Sequence, residues 1–336
     1  MLHHPLTGML SSSPPILSDA QVADILHEHY GRAGPLRRLT SERDLNIHLT
    51  TAQGSFVLKI ANVAEPAAVT DFQTQALLHL AQSDLPTPRV VCTRHGATQV
   101  TTPHGTVRLL TYLAGVPLYT TAKTDAQTAA IARMAANLAL GLQGFAHAAV
   151  DHVLQWDIKQ ATSLRPLLPS IADAAIRDLA ERTLDRFDAD VAPQIRDMRR
   201  QVVHNDLNPY NILVNLHDPA DVVGILDFGD MVRTPLICDV AIAAAYQFNP
   251  TAGLHSLSNF AAAYHAVLPL TAPEAALLPD LMATRMLTTL AITSARAACY
   301  PTNAAYILRN YAAARDGLVA LAALNRADCA RAMEQL

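Results

Sequence analysis

The segment HNDLNPYN, residues 204–211, places His204, Asp206, Asn208 and Asn211 between two apolar runs, Val202-Val203 and Ile212-Leu213-Val214. Such runs read as strand ends, and a loop held between strand ends is a firm mount for a reacting group. Sixteen residues after Asn211, Asp227 follows another apolar run in ILDFGD. Two carboxylates and a carboxamide on adjoining strand ends make a hard-oxygen set suited to Mg²⁺, which takes few protein ligands and completes its shell with phosphate oxygens. Asp206 has a second competence: an aspartate on a firm loop can orient a hydroxyl and accept its proton. Asn211, five residues on, fits as the metal-holding partner, and Asp227 fits as the main metal ligand. Far upstream, Lys59 in SFVLKIA interrupts an apolar strand. A lysine there is costly unless paired, so it reads either as an anchor for phosphates or as half of a buried ion pair. The order Lys59, Asp206, Asn211, Asp227 is far more specific than any one of these residues.

The elements that must position them follow from periodicity. Residues 1–17, with Ser11-Ser12-Ser13-Pro14-Pro15, read as a disordered leader. Ser18 caps a helix over DAQVADILHEHY that Gly31 ends. PLRRLT, LNIHLTT and SFVLKIA read as strands, PAAVTDFQTQALLHLAQS as a helix, and PRVVCT, ATQVTT and TVRLLTYL as further strands. After Gly115 the pattern turns helical and stays so, apart from 201–228. The expected class is α+β, with a small antiparallel β lobe over 18–113 and a large, mostly helical lobe over 114–336.

Composition narrows the class of function. The chain has 336 residues, is 51% hydrophobic and 16% charged, and carries a formal net charge of −4. That balance suits an enzyme and lacks the basic surface of a nucleic-acid binder. No apolar run is expected to reach membrane-spanning length, and the N-terminus does not look like a signal peptide. Cys92, Cys238, Cys299 and Cys329 are scattered without a CxxC pair, and the 14 histidines include no HExxH. A cytoplasmic protein with reduced cysteines is expected, as monomer or homodimer, without nucleic-acid or membrane partners.

The set resembles the protein-kinase-like fold, and within it the aminoglycoside phosphotransferase and choline kinase superfamily, whose HGDxxxxN loop is similar to HNDLNPYN. SERDLN, VLKIAN, WDIKQA, LDFGDMV and NAAYILRN resemble the hydroxylysine kinase group, including kinase-like domains fused to class III aminotransferases. No aminotransferase segment is read here, so the kinase module alone is expected. The resemblance implies a two-lobed kinase that uses Mg²⁺ and ATP or GTP. Asp206 would be the base or orienter, Asn211 and Asp227 would hold Mg²⁺, and Lys59 would contact the α/β-phosphates of the nucleotide. Backbone groups of Leu110, Tyr112 and Leu113 would meet the purine edge, and Ser41 and Arg43, in the turn that covers the phosphates, would contact them. Three departures stand out: Asn205 where glycine is usual, a covering turn without glycine, and Gln73 where many relatives pair Lys59 with a glutamate.

For the acceptor, Arg285 and Arg296 lie eleven residues apart in an apolar helix, on one face. A guanidinium there asks for a carboxylate. That partner is either a protein Asp or Glu or the carboxylate of a hydroxy-amino acid substrate, and Asp230 could hold the substrate ammonium. Trp156, the one tryptophan, reads as core packing near the acceptor site. Residues 251–336 hold five acidic and six basic residues, so no acidic wall for a polycationic aminoglycoside is evident. Choline- or ethanolamine-type kinases, an inactive nucleotide-binding module and a metal-dependent hydrolase are the competing readings.

Overall fold

The structure is a computed structural model that describes residues 14–41 and 43–336. Its contacts divide the chain into two compact units. One holds the described residues up to Ala114 together with His147–Val150, and the other holds Gly115–Ala146 and Asp151–Leu336.

In the first unit, helix α1 (Asp19–Ile25) starts at a capping box in which Ser18 and Gln21 satisfy each other's backbone N–H groups. A π-type turn, Leu26–Tyr30, extends it to Gly31, whose left-handed φ of 61° stops the helix. Strands β1 (Leu36–Leu39), β2 (Leu45–Thr51) and β3 (Gly54–Ile60) form a meander. Helix α2 (Ala67–Leu80), β4 (Val90–Val91), β5 (Val100–Thr102) and β6 (Gly105–Thr111) follow. The antiparallel order is β1-β2-β3-β6-β4, with β5 hairpinned to β6. Strand alternation sends Ile47, Leu49, Leu58, Ile60 and Leu109 to one face, where they pack with Val22 and Leu26 of α1. The alternate residues Lys59 and Arg108 sit opposite each other across β3 and β6. Leu17 is buried in the same apolar cluster, so the expected leader is corrected at its C-terminal end; residues 1–13 lie outside the described residues.

The second unit begins at β7 (Val116–Pro117) and α3 (Asp125–Gly141). Gly115, just before β7, leaves no room for a side chain: a Cβ would meet Val223 at 2.8 Å and Leu213 at 3.0 Å. A 3₁₀ run, Ile158–Ser170, carries Pro166 and Pro169, which an α-helix would not tolerate. Helices α4 (Ala174–Arg186) and α5 (Ala192–Ile195) follow, then β8 (Arg200–Val203), β9 (Ile212–Val214), β10 (Val222–Ile225) and β11 (Val232–Pro235). Helices α6 (Leu236–Gln247), α7 (Leu254–His265), α8 (Ala272–Cys299), α9 (Ala304–Ile307), α10 (Tyr311–Ala322) and α11 (Arg326–Glu334) complete it. The expectation about membrane-spanning length is corrected at α8. This helix is 28 residues long and apolar enough to cross a bilayer, but 78% of its most apolar stretch is buried inside the protein. Arg285 and Arg296 are buried on it too, as suits a core helix.

Candidate active site

Two antiparallel pairs set the frame. In one, β9 and β10 run with Ile212 opposite Ile225, and Leu226 N–H donates to the Asn211 carbonyl at 2.7 Å. Asn211, just before one strand, is thereby brought beside Leu226 and Asp227, just after the other. In the other pair, Val203 of β8 faces Val232 of β11, which sets the start of the 204–211 loop beside Asp230 and Met231. Residues far apart in sequence converge because each lies at the same end of an antiparallel register.

His204 fastens the loop. Its Nε2 donates to the Leu226 carbonyl at 2.9 Å, and its Nδ1 accepts from Asp206 N–H at 3.2 Å. The two bonds require one tautomer, and full burial lowers the imidazole pKa, so the ring stays neutral. Asn205 adopts φ 66°, a left-handed conformation that asparagine tolerates better than most residues; the loop keeps the backbone shape without a glycine. Its N–H donates to Asp239 of α6 at 2.7 Å, a carboxylate whose pKa burial pushes up to about 6. Asp239 was not picked out from sequence, although a lone carboxylate in LICDVAIAAAYQ was a usable signal.

Asp206 is enclosed by donors. Its Oδ2 accepts from Asn208 Nδ2 and from Asn211 Nδ2, both at 2.8 Å, and its Oδ1 accepts from Arg285 Nη2 at 3.1 Å. Burial and the nearby Asp230 push its pKa up to about 7, against the pull of Arg285. A carboxylate held this way is oriented and close to neutral in proton affinity, as a general base should be.

Asn211 spends its Nδ2 on Asp206, on both Oδ2 and the backbone oxygen, which turns its own Oδ1 away from that carboxylate. Asp227 also has a left-handed backbone, φ 57°. Its carboxylate is exposed and accepts from Gly229 N–H at 3.3 Å. Among the described residues, no group of three or more His, Cys, Asp or Glu side chains could hold a metal by itself. A carboxamide oxygen and one exposed carboxylate nonetheless fit Mg²⁺, which takes one or two protein oxygens and completes its shell with water and phosphate. Asp230 is buried one short turn later, close enough to act electrostatically on both Asp206 and Arg285.

Arg285 meets the protein rather than solvent. Besides Asp206, its Nη2 donates to Tyr246 Oη at 3.1 Å and its Nη1 to the Trp156 carbonyl at 3.1 Å. The guanidinium carbon lies 5.2 Å from the Trp156 ring centroid and 5.4 Å from that of Tyr246, within cation–π range. The carboxylate partner expected from a substrate is thus supplied by Asp206. Trp156, read from sequence as core, is half-buried against this guanidinium.

The remaining expected contacts lie in the first unit. Lys59 Nζ is 3.6 Å from Asp44 Oδ2. Asp44 also accepts from Asn62 N–H, and Asn62 Nδ2 donates to the Arg43 carbonyl, so the end of the covering turn is tied to the end of β3. Ser41 Oγ accepts from Asp44 N–H. Gln73 accepts from Arg108 at 2.9 Å and donates to Glu65 at 3.0 Å; burial raises the Glu65 pKa. Leu110 is buried within β6, paired with Val57 and Val90. Tyr112 N–H already donates to the Ser55 carbonyl. Leu113 is half-buried, two residues past the end of β6.

Comparison with known proteins bears on the family and the fold. Residues 35–277 match the phosphotransferase enzyme family (APH). Hydroxylysine kinase of Mus musculus is 28% identical over 89% of this chain and 87% of its own. Hydroxylysine kinase of Danio rerio is 30% identical over 78% and 79%. Among solved structures, amicoumacin kinase hAmiN in complex with AMP-PNP superposes with a TM-score of 0.67 at 14% identity, over 90% of this chain and 93% of its own. With an antiparallel sheet in one unit, helices through most of the other and these relatives, the chain has the kinase-like fold and belongs to the phosphotransferase enzyme family.

Proposed function

We propose that this phosphotransferase moves the γ-phosphoryl group of ATP or GTP to a hydroxyl of a small amino-bearing substrate, a hydroxy-amino acid such as hydroxylysine. The observation that carries the reading is Asp206, a half-buried carboxylate held by Asn208, Asn211 and Arg285. The names of the relatives point to the acceptor class. Asp206 orients the acceptor hydroxyl and takes its proton, while the oxygen bonds to the γ-phosphorus and the β–γ bridging bond breaks toward the departing nucleoside diphosphate. Asn211 and Asp227 would hold Mg²⁺, which when bound would neutralise charge on the phosphates. Lys59, Ser41 and Arg43 contact the phosphates in this reading, Leu110, Tyr112 and Leu113 line the purine, and Asp230 faces the substrate ammonium.

The test is nucleotide consumption with Mg²⁺ against hydroxy-amino acids, amino alcohols and aminoglycosides. Turnover highest with a hydroxy-amino acid is expected. Preference for an aminoglycoside or for choline would reassign the acceptor, and no consumption with any of them would favour an inactive nucleotide-binding module.

A further inference from the structure

The two oxygens of Asp206 are not equivalent. A carboxylate offers roughly four lone-pair positions, two per oxygen. Oδ2 has both of its own occupied, by Asn208 and Asn211. Oδ1 accepts one bond, from Arg285. One lone pair on Oδ1 therefore remains for a substrate hydroxyl, beside the guanidinium.

We propose that Arg285 is a positioning residue that fixes Oδ1 of Asp206 as the atom receiving the acceptor proton. The inference deepens the functional reading above and rests on it. Arg285 has little freedom to do otherwise. Its side chain is 2% exposed, its Nη1 is held by the Trp156 carbonyl and its Nη2 by the Tyr246 hydroxyl, and both rings lie within cation–π range of the charge. Trp156 precedes the 3₁₀ run and Tyr246 lies near the end of α6, so two separate segments fix one fork. The fork adds a donor on Oδ1 to the two that hold Oδ2, so both oxygens of the carboxylate are tied. In the transfer step the acceptor O–H gives its proton to Oδ1, its oxygen bonds to the γ-phosphorus, and the bridging P–O bond electrons leave with the nucleoside diphosphate. A lysine at 285 could reach Asp206 or the Trp156 carbonyl but has no planar fork to hold Asp206, Trp156 and Tyr246 at once. The arrangement also places a fixed positive charge next to the reacting hydroxyl, which a substrate carboxylate alone would not require.

The experiment compares wild type, Arg285→Ala, Arg285→Lys, Tyr246→Phe and the Tyr246→Phe/Arg285→Lys double variant, using the full chain. Each is assayed with the best acceptor and, separately, for nucleotide hydrolysis with water as acceptor. Tyr246→Phe keeps the ring and removes the hydroxyl that steadies Nη2. It should lower kcat about three- to tenfold with the acceptor KM changed less than about twofold. Arg285→Lys should lower kcat about a hundredfold, with unchanged nucleotide affinity, and the double variant should be no worse than Arg285→Lys, since the hydroxyl acts through the guanidinium. Added guanidinium should restore part of the Arg285→Ala turnover. Loss confined to acceptor KM, additive effects in the double variant, or full turnover in Arg285→Lys would overturn the proposal. If Arg285→Ala does not fold, Tyr246→Phe and the double variant still decide it. A wild type that hydrolyses nucleotide and responds to these variants, yet phosphorylates no hydroxy-amino acid, would overturn the substrate reading alone. A wild type that consumes no nucleotide with any acceptor, water included, would overturn both.

Discussion

Asp206 and Asp227 each follow a strand, β8 and β10, and influence each other electrostatically, yet the fold treats them oppositely. Asp206 is wrapped: three side chains donate to it, and burial brings its pKa up to about 7. Asp227 is exposed and accepts from Gly229 N–H in its own turn, at 3.3 Å. A half-buried carboxylate with one oxygen filled by donors and the other open to one more is suited to handling a proton. An exposed one is suited to a hard cation. The difference comes from the backbone: Asp206 enters a loop covered by α8, while the left-handed residue 227 turns its side chain outward.

The largest effect should come from removing the wrapped carboxylate's charge. Asp206→Asn keeps the size and several of the hydrogen bonds but cannot take a proton. We expect turnover to fall by about a thousandfold or more with nucleotide affinity retained. Steady-state kinetics beside nucleotide titration checks this, and a variant that keeps most of its turnover would remove Asp206 from the proton transfer.

Asp227→Ala should act on binding instead. The extra nucleotide affinity conferred by Mg²⁺ should drop by about a hundredfold or more, while affinity without metal changes little. Calorimetry with and without Mg²⁺ separates the two. Equal loss in both conditions would make the carboxylate a structural turn residue and erase the contrast with Asp206.

These two side chains were legible because their types and spacing are local. HNDLNPYN and ILDFGD each lie within one loop, and the strands around them declare themselves by apolar runs. The first-unit strands and α1 were legible for the same reason, down to the Ser18 cap and Gly31 stop. What sequence could not supply was partnership at a distance. Asp239 is 34 positions from Asn205, Arg285 is 79 from Asp206, and Tyr246 is 39 from Arg285. No periodicity encodes which buried cation meets which buried anion, so the Arg285 partner stayed open between substrate and protein. The end of the leader was misread because of the Ser11–Pro15 run, while Leu17 just after it found the α1 core.

Asp239 extends the comparison to a third carboxylate, buried but outside the chemistry. Its value of about 6 in the folded protein lies above the 3.8 of an ordinary aspartate. The folded state therefore binds the extra proton between those values. The stability this contributes is fully present below about pH 3.8 and is lost as pH rises through about 6. The loss is roughly 2–3 kcal/mol. Asp239→Asn still accepts from Asn205 N–H but cannot titrate. The variant's stability relative to wild type should rise by that amount between pH 4 and 7, read from denaturant midpoints. A flat difference across this range would mean that Asp239 is ionised throughout.

The smallest effect concerns the residue between Asp206 and its anchor. Asn205 has φ 66°, is fully buried, and neither its Oδ1 nor its Nδ2 has a hydrogen-bond partner. Asn205→Gly removes the left-handed strain, about 1 kcal/mol or somewhat more, and two unsatisfied polar atoms, each costing about 1–3 kcal/mol. Against this stand a small cavity and the larger chain entropy of glycine, about 0.5–1 kcal/mol. The backbone bond to Asp239 is unaffected, since glycine keeps the N–H. A net gain of about 1 kcal/mol is expected, visible as a higher unfolding midpoint with unchanged kcat. A loss of similar size would show that the buried amide is satisfied by solvent, and Asn205 would then join Asn208 and Asn211 as part of the polar wrapping around Asp206.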